Sequence, residues 1–239
     1  MSHLHIQPNS AELVEEVYTF VKHLADQAIS KRGRFFWALS GGSTPKQLFS
    51  LMAQEGHQET FPWEHTDLYW GDERDVLPTH PDSNFGAADT LLLRRLDPQP
   101  HSVNRWVTEY RPPMALADYR TKLQPAVEDG FPRLDLVLLG LGPEGHTASL
   151  FPNSPALGSA DFVEHVYVAE HQSWRYTLTL PVINHARVVV FLVSGKTKAN
   201  IVGEIRTTAP TPALPASMVE DRDGLHWFLD QEAASQTGP

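Results

Sequence analysis

Cysteine is absent from this chain of 239 residues. Its absence excludes disulfide bonds, thiolate metal sites and cysteine nucleophiles. Long apolar runs are also absent: no segment approaches the ~20 residues that span a bilayer, and the N-terminus lacks the basic region and apolar core of a signal peptide. We therefore expect a soluble, cytoplasmic protein with no membrane partner.

Basic residues are few relative to acidic ones. The chain has 19 Lys and Arg against 29 Asp and Glu, which gives a formal net charge of -10. Binders of nucleic acid need a basic surface that offsets phosphate charge, so we expect no nucleic-acid partner, although a local basic pocket is still allowed. The length suits one large α/β domain with a substantial core, and we expect a single domain over residues 1–239 and a monomer.

Helix and strand patterns alternate along the chain. A first helix has Ser10 as its expected N-cap and ends at Gly33, and Thr44 is the expected cap of the next helix. The apolar segments that predict further strands are Arg34–Leu39, Asp67–Trp70, Leu134–Leu139 and Arg187–Val193. This alternation predicts a mostly parallel sheet flanked by helices. The segments Tyr167–Glu170 and Tyr176–Leu180 predict a small antiparallel element at one edge.

The most informative segment is GLGPEGHTASLFP, from Gly140 to Pro152. It follows a nearly continuous apolar run, which is typical of a central parallel strand covered on both faces. Ligands of open α/β sheets bind at the carboxyl ends of such strands, where glycines allow sharp turns and close approach. His146 therefore lies at the edge of a predicted cleft, where an imidazole is able to take a proton from water near neutral pH. A structural hydrogen-bonding role is the alternative for a single loop histidine.

A second glycine-rich turn, LSGGSTP, joins a strand to a helix at residues 39–45. The free N–H groups of Gly41–Thr44 and the helix N-terminus are suited to hold a phosphate. The segment is neither a Walker loop nor a dinucleotide fingerprint, because the lysine and the glycine spacing differ. A tight turn with an ordinary helix cap is the alternative interpretation.

Charged side chains follow two further strands. In GDERDV, Arg74 is able to clamp a phosphate or carboxylate and Asp72 to orient a base or a sugar hydroxyl, although such a run is also typical of a solvated loop. Arg175 lies beside the strand YTLTLP. Lys196 and Lys198 lie in SGKTKA near a predicted helix N-terminus, where a bound anion would offset their unfavourable interaction with the helix dipole. Ordinary exposure is the alternative for both lysines.

Together these segments resemble the 6-phosphogluconolactonase family. SGGSTP, GDER followed by PDSNFG, LGLGPEGHTASLFP, RYTLTLPVIN and SGKTKA occur in the family's order, and ASLFP after the histidine is specific. The resemblance implies a Rossmann-like three-layer α/β sandwich related to the glucosamine-6-phosphate deaminases. It also implies hydrolysis of a small sugar-phosphate lactone, 6-phospho-D-glucono-1,5-lactone, to 6-phosphogluconate in the oxidative pentose phosphate pathway, without a metal or organic cofactor.

The resemblance also implies roles for individual residues. His146 would be the general base that deprotonates the water attacking C1 of the lactone, and Asp72 would position that base or a sugar hydroxyl. Glu144 stands where the family usually has aspartate. Because its side chain is one methylene longer, we expect it to pair with His146 through a shifted backbone or a bridging water. The residues implied in phosphate binding are Gly41, Gly42, Ser43, Thr44, Arg74, Arg175, Lys196 and Lys198.

Two other functions use the implied fold. Glucosamine-6-phosphate deaminases share the glycine-rich loop and a glycine–histidine turn. They typically carry a DEY-like segment where this chain has GDER, and an NEPG-like element where it has ASLFP. Sugar-phosphate sensor domains of some bacterial transcription regulators also use this fold beside a DNA-binding helix-turn-helix. The acidic composition of this chain does not favour DNA binding.

Overall fold

The apolar run near the middle of the chain forms the central strand of a seven-stranded parallel sheet. The structure, a computed structural model, describes residues 2–220 and 224–237. Its strands are β1 His3–Gln7, β2 Phe35–Leu39, β3 Thr66–Trp70, β4 Asp72–Arg74, β5 Ser102–Asn104, β6 Val127–Glu128, β7 Phe131–Pro132, β8 Leu136–Leu139, β9 Val163–Val168, β10 Ser173–Leu178, β11 Val188–Val193 and β12 Leu225–Asp230. Its α-helices are α1 Ser10–Arg32, α2 Ser43–Met52, α3 His57–Thr60, α4 Asn84–Leu91, α5 Pro112–Leu123, α6 Leu180–His185 and α7 Ala199–Thr207. No helix in these described ranges combines the length and apolar character needed to cross a membrane.

The large sheet reverses its strand order near its centre. Its order is β1-β12-β11-β8-β2-β3-β5, and all neighbouring pairs are parallel. The chain runs from β2 outward to β3 and β5, returns to β8, and continues on the other side to β11 and β12. A crevice therefore lies at the carboxyl ends of β2 and β8, where the order reverses.

A three-stranded antiparallel sheet, ordered β4-β10-β9, joins this carboxyl edge. Gly71 connects the two sheets: its N–H donates to the carbonyl of Leu39 in β2, and its carbonyl accepts from the N–H of Leu178 in β10. The predicted antiparallel element is thus confirmed, with its strands at Val163–Val168 and Ser173–Leu178. The GDER segment is not a solvated loop, because Asp72–Arg74 pairs with β10 as an edge strand.

Apolar side chains from the helices and the sheet form a continuous core. All four residues of β8 are buried, as expected for a central parallel strand. Helix α1 packs on β2 and β12, and its buried residues Leu13, Val17 and Val21 recur at helical spacing. The predicted parallel sheet flanked by helices is confirmed.

The first helix is capped one residue earlier than expected. Asn9 is the N-cap, and its Oδ1 accepts from the N–H groups of Ala11 and Glu12, each at 3.0 Å. An amide oxygen has two lone pairs and so satisfies two free helix donors at once; the expectation for Ser10 is wrong. Gly33 ends the helix as expected, with a φ of 82°.

Replacing Asn9 by alanine should lower the free energy of unfolding by about 1 kcal/mol, because two helix N–H groups lose their acceptor. The matched change Ser10→Ala should alter it by less than about 0.5 kcal/mol. Among the described residues, the hydroxyl of Ser10 has no hydrogen-bond partner. Urea denaturation monitored by circular dichroism measures both variants. Equal losses would contradict the cap assignment.

Candidate active site

The predicted motifs meet in a cleft of about 220 Å³ at the carboxyl edge of the large sheet. The cleft lies at the reversal between β2 and β8, where open α/β sheets bind their ligands. Its lining consists of residues 40–45 after β2, Asp72, Arg74 and Asn84 around β4, residues 140–143, 146 and 148 after β8, Arg175 in β10, and residues 192–194 and Lys198 at the end of β11. A wider groove of about 890 Å³ between α1 and α2 is lined by none of the predicted site residues. We therefore take the smaller cleft as the candidate site.

His146 lies in the turn that follows β8, and glycines make its position possible. The N–H of Gly142 donates to the carbonyl of His146 at 2.8 Å, which closes the turn. A Cβ atom at Gly142 would lie 1.9 Å from His146 Nδ1, so only glycine lets the imidazole pack this closely against the backbone. Gly145 has a φ of +82°, a conformation that favours glycine. The turn thus holds the imidazole in the wall of the cleft.

The carboxylate of Glu144 contacts this imidazole directly. Its Oε1 lies 3.0 Å from His146 Nδ1, so the longer side chain needs no bridging water. The carboxylate is out of line with the ring N–H, and the contact is electrostatic rather than a well-formed hydrogen bond. Burial lowers the pKa of His146 below its ordinary value, and the charge of Glu144 only partly offsets this effect. This shift favours the neutral imidazole, which is the form that accepts a proton.

Asp72 is buried at the start of β4 and lines the cleft. Its Oδ2 accepts from Ser149 Oγ at 2.7 Å, and its Oδ1 accepts from Asn84 Nδ2 at 3.2 Å. Asn84 also donates to the backbone carbonyl of Asp72 at 3.0 Å. A Cβ atom at Gly41 would collide with this amide group, so the first glycine-rich turn leaves room for it. The network fixes the carboxylate, whose charge favours the protonated form of His146.

Arg74 and Arg175 face each other across the small sheet. They are register partners in the antiparallel pair β4–β10, and both line the cleft. Like charges directly opposite each other destabilise a sheet. Among the residues that the structure describes, neither guanidinium has a carboxylate at ion-pair distance, and Arg74 Nε has no hydrogen-bond partner. Burial and the charge of Arg74 lower the pKa of Arg175. An anion between the two guanidinium groups would complete the cluster.

The first glycine-rich turn presents the start of helix α2 to the same cleft. The helix begins at Ser43 with Gly42 as its N-cap, and no side chain in the described part of the chain caps its free N–H groups. Thr44, the expected cap, is instead the second residue of the helix, and its Oγ1 lies 2.8 Å from Ser194 Oγ. An uncapped helix N-terminus attracts anions through its N–H groups and its dipole. The turn is therefore suited to the predicted phosphate.

The two lysines of SGKTKA occupy different positions. Lys198 lines the cleft, and its Nζ donates to the carbonyl of Leu141 at 2.7 Å, which leaves two ammonium protons for a ligand. Burial lowers the pKa of Lys198. Lys196 is exposed outside the cleft lining, and its backbone N–H donates to Glu232. The structure brings Lys198 into the cluster, and a role for Lys196 stays a prediction.

Glu73 is a buried residue near the cleft for which the sequence motifs predicted no role. Its Oε1 accepts from the N–H groups of Arg74 and Asn84, and its Oε2 accepts from the N–H of Phe85 and the hydroxyl of Ser83. Burial raises the pKa of Glu73 to about 7, against the opposing effect of the backbone donors. The carboxylate ties the start of α4 to β4 and so fixes Asn84 in the cleft wall. The signal in the sequence is an acidic residue shortly before PDSN, where free helix N–H groups need an acceptor.

The cleft thus combines a histidine whose pKa is lowered by burial with a cluster of cations and free N–H donors. Among the described residues, no group of three or more His, Asp or Glu side chains is arranged to hold a metal ion. This arrangement defines a Rossmann-like α/β protein with a positively charged cleft at the switch point of its sheet.

The chain belongs to the family of glucosamine-6-phosphate isomerases and 6-phosphogluconolactonases, which it matches over residues 8–227. The resemblance of its motifs is thereby confirmed. The 6-phosphogluconolactonase of Synechocystis sp. is 40% identical, over 97% of this chain and 96% of that protein. The 6-phosphogluconolactonase from Trypanosoma brucei, whose structure is solved, is 26% identical in sequence to this chain. The two structures superimpose with a TM-score of 0.86, over 100% of this chain and 99% of that chain. A monomeric glucosamine-6-phosphate deaminase, 16% identical with a TM-score of 0.82 over 98% of this chain and 99% of that one, shares the fold alone.

Inorganic phosphate should stabilise the protein, because it would occupy the arginine cluster and the start of α2. At 100 times its dissociation constant the stabilisation should be about 2.7 kcal/mol. Arg175→Gln should remove most of this gain, measured by thermal unfolding at fixed ionic strength. The matched change Arg120→Gln, which breaks an exposed ion pair with Asp161, should retain it. Equal stabilisation of all three proteins would place the phosphate elsewhere.

Proposed function

We propose that this protein is a 6-phosphogluconolactonase, which hydrolyses 6-phospho-D-glucono-1,5-lactone to 6-phospho-D-gluconate. The observation that carries the proposal is the presence, in one cleft, of a largely buried imidazole and a cation cluster without a counter-anion among the described residues. The first group suits water activation, and the second suits a phosphate ester. Relatives named 6-phosphogluconolactonase, which this chain matches over 96% of their length, support the same activity.

In this mechanism, His146 is the general base. Nδ1 lies against Gly142 and Glu144, so Nε2 is the nitrogen that takes a proton from water as the water attacks C1 of the lactone. The tetrahedral intermediate then collapses: the bond between C1 and the ring oxygen breaks, and the imidazolium returns the proton to that oxygen. Backbone N–H groups of the glycine-rich turns stabilise the negative charge that develops on the carbonyl oxygen.

The two carboxylates near the histidine have supporting roles. Glu144 contacts Nδ1 and stabilises the imidazolium that forms when the proton is taken up. Asp72, fixed by Ser149 and Asn84, adds negative charge beside the cleft and is available to position a sugar hydroxyl. Neither role requires a metal or an organic cofactor.

The 6-phosphate binds to the cation cluster. Arg74 and Arg175 supply planar donor pairs, which match phosphate geometry, and Lys198 supplies a point charge. The N–H groups and the hydroxyl at Ser43 complete the site at the start of α2. A phosphate held there gives the lactone one defined orientation relative to His146, and orientation of this kind lowers the barrier of a hydrolytic step.

His146→Ala should fold normally and lose kcat by about 10² to 10⁴-fold, because it removes the general base. The assay generates the lactone from glucose 6-phosphate and reports the product with 6-phosphogluconate dehydrogenase and NADP, against a reaction without enzyme. The matched control is His171→Ala, which removes the neighbouring imidazole. The ring centroid of His171 lies 6.4 Å from that of His146, and this variant should keep near-wild-type turnover.

Full activity of His146→Ala would show that the general base is another group. Absence of any acceleration by the wild-type protein would refute the lactonase proposal and make glucosamine-6-phosphate deamination the next activity to assay.

In a plot of kcat/KM against pH, the midpoint of the fall on the acidic side (the acidic limb) should lie at a pH below the ordinary pKa of histidine. The base acts in its neutral form, and burial lowers the pKa of His146, so activity should persist at pH values where an exposed histidine is protonated. Glu144→Gln should move this limb to still lower pH, because the carboxylate charge raises that pKa, and should reduce kcat about tenfold through a weaker base. Glu204→Gln, on the exposed face of α7, should leave the profile unchanged. A limb in Glu144→Gln at or above the wild-type pH would contradict this electrostatic role.

A further inference from the structure

Phe151, in the segment ASLFP, has no part in the chemistry proposed above. It is 4% exposed and lies behind the lining of the cleft. Its ring nevertheless contacts two of the proposed functional groups. The ring centroids of Phe151 and His146 are 4.0 Å apart, with an interplanar angle of 22°. The guanidinium carbon of Arg175 lies 5.4 Å from the same Phe151 centroid.

The stack with Phe151 restricts the orientation of His146. Gly142 borders the imidazole at Nδ1, and the carboxylate of Glu144 is out of line with that nitrogen. Among the described residues, Nδ1 therefore has no well-aligned hydrogen bond to fix the ring. A stacked aromatic neighbour fixes the plane of the imidazole instead. The contact with Phe151 thus sets the direction of Nε2.

The same ring helps to hold Arg175 where it would otherwise be repelled. Arg74 is its cross-strand partner and carries the same charge. The Nε of Arg175 has a long contact of 3.4 Å with Ser173 Oγ. A guanidinium near the face of an aromatic ring is attracted to the negative charge of the π system. Phe151 therefore offsets part of the repulsion and keeps Arg175 near the cleft.

We propose that Phe151 is a positioning residue whose single ring orients both the general base and the phosphate-binding arginine. Its catalytic meaning rests on the proposed lactonase function. A substrate bound by its phosphate to Arg175 has a fixed position relative to Nε2 of His146, because the side chains of Arg175 and His146 both pack on one rigid ring. A displacement of a reacting group by about 1 Å is enough to cost on the order of 10²-fold in rate.

Replacement of Phe151 by leucine should change the surroundings of the His146 imidazole in a way that raises its pKa. The charged and titratable groups that face His146 are Glu144, Asp72, Arg175 and His171. Loss of the ring admits water to His146, and release of Arg175 removes a positive charge that lowers the pKa of the imidazole. Both changes raise the pKa of His146, so the acidic limb of the pH profile should move upward.

The experiment compares Phe151→Leu with the matched core change Phe35→Leu. Phe35 is fully buried at the amino end of β2, at the opposite end of the strand from the cleft. NMR titration of His146, assigned by loss of its signal in His146→Asn, measures the pKa. Calorimetry with inorganic phosphate measures the anion site, and steady-state kinetics measure kcat and KM. For Phe151→Leu we expect a higher His146 pKa, a phosphate affinity about threefold to tenfold weaker, and changes in both kcat and KM.

Phe35→Leu should lose thermal stability without these changes, and Phe151→Tyr, which keeps the ring, should retain the wild-type pKa and phosphate affinity. An unchanged pKa or an unchanged phosphate affinity in Phe151→Leu would overturn the joint role. If Phe151→Leu does not fold, Phe151→Met also removes the ring and is measured in the same way. The titration and the phosphate affinity do not depend on turnover, so failure of the lactonase proposal is distinguishable from failure of the Phe151 proposal.

Discussion

The candidate site depends on the reversal of strand order between β2 and β8. At this point the chain turns away from the sheet in opposite directions, and the backbone leaves a crevice that helices do not cover. The turns after β2, β8 and β11 and the small antiparallel sheet all open into it. The polar groups of the cleft come from segments far apart in sequence, and this topology is what makes them neighbours.

Electrostatic imbalance is the second constraint on the cleft. The chain as a whole is strongly acidic, yet the cleft gathers Arg74, Arg175 and Lys198 without placing a described carboxylate at ion-pair distance from any of them. Pairing each cation with an internal carboxylate would stabilise the free protein more simply. In the proposed function these unpaired cations bind a ligand that brings its own negative charge, as a phosphate ester does.

Much of this arrangement follows from local sequence signals. The apolar run before Gly140 predicted the central strand, and the strand-end motifs predicted which turns line the cleft. The pairing of Arg74 with Arg175 was not predictable in this way, because register between distant strands depends on tertiary packing rather than on local pattern. That Lys198 lines the cleft and Lys196 does not was also not predictable, because it depends on the direction of the short turn after β11. The network around Glu73 and Asn84 also required the structure, since it joins a strand to a helix that begins ten residues later.

In the proposed enzyme, one cleft holds the phosphate and the reacting carbonyl at the same time. A crystal structure of the protein with bound 6-phosphogluconate tests this arrangement. We expect the phosphate between Arg74, Arg175 and the start of α2, with the C1 carboxylate within hydrogen-bond reach of His146 Nε2. A phosphate bound outside the arginine pair, or a C1 carboxylate remote from His146, would contradict it.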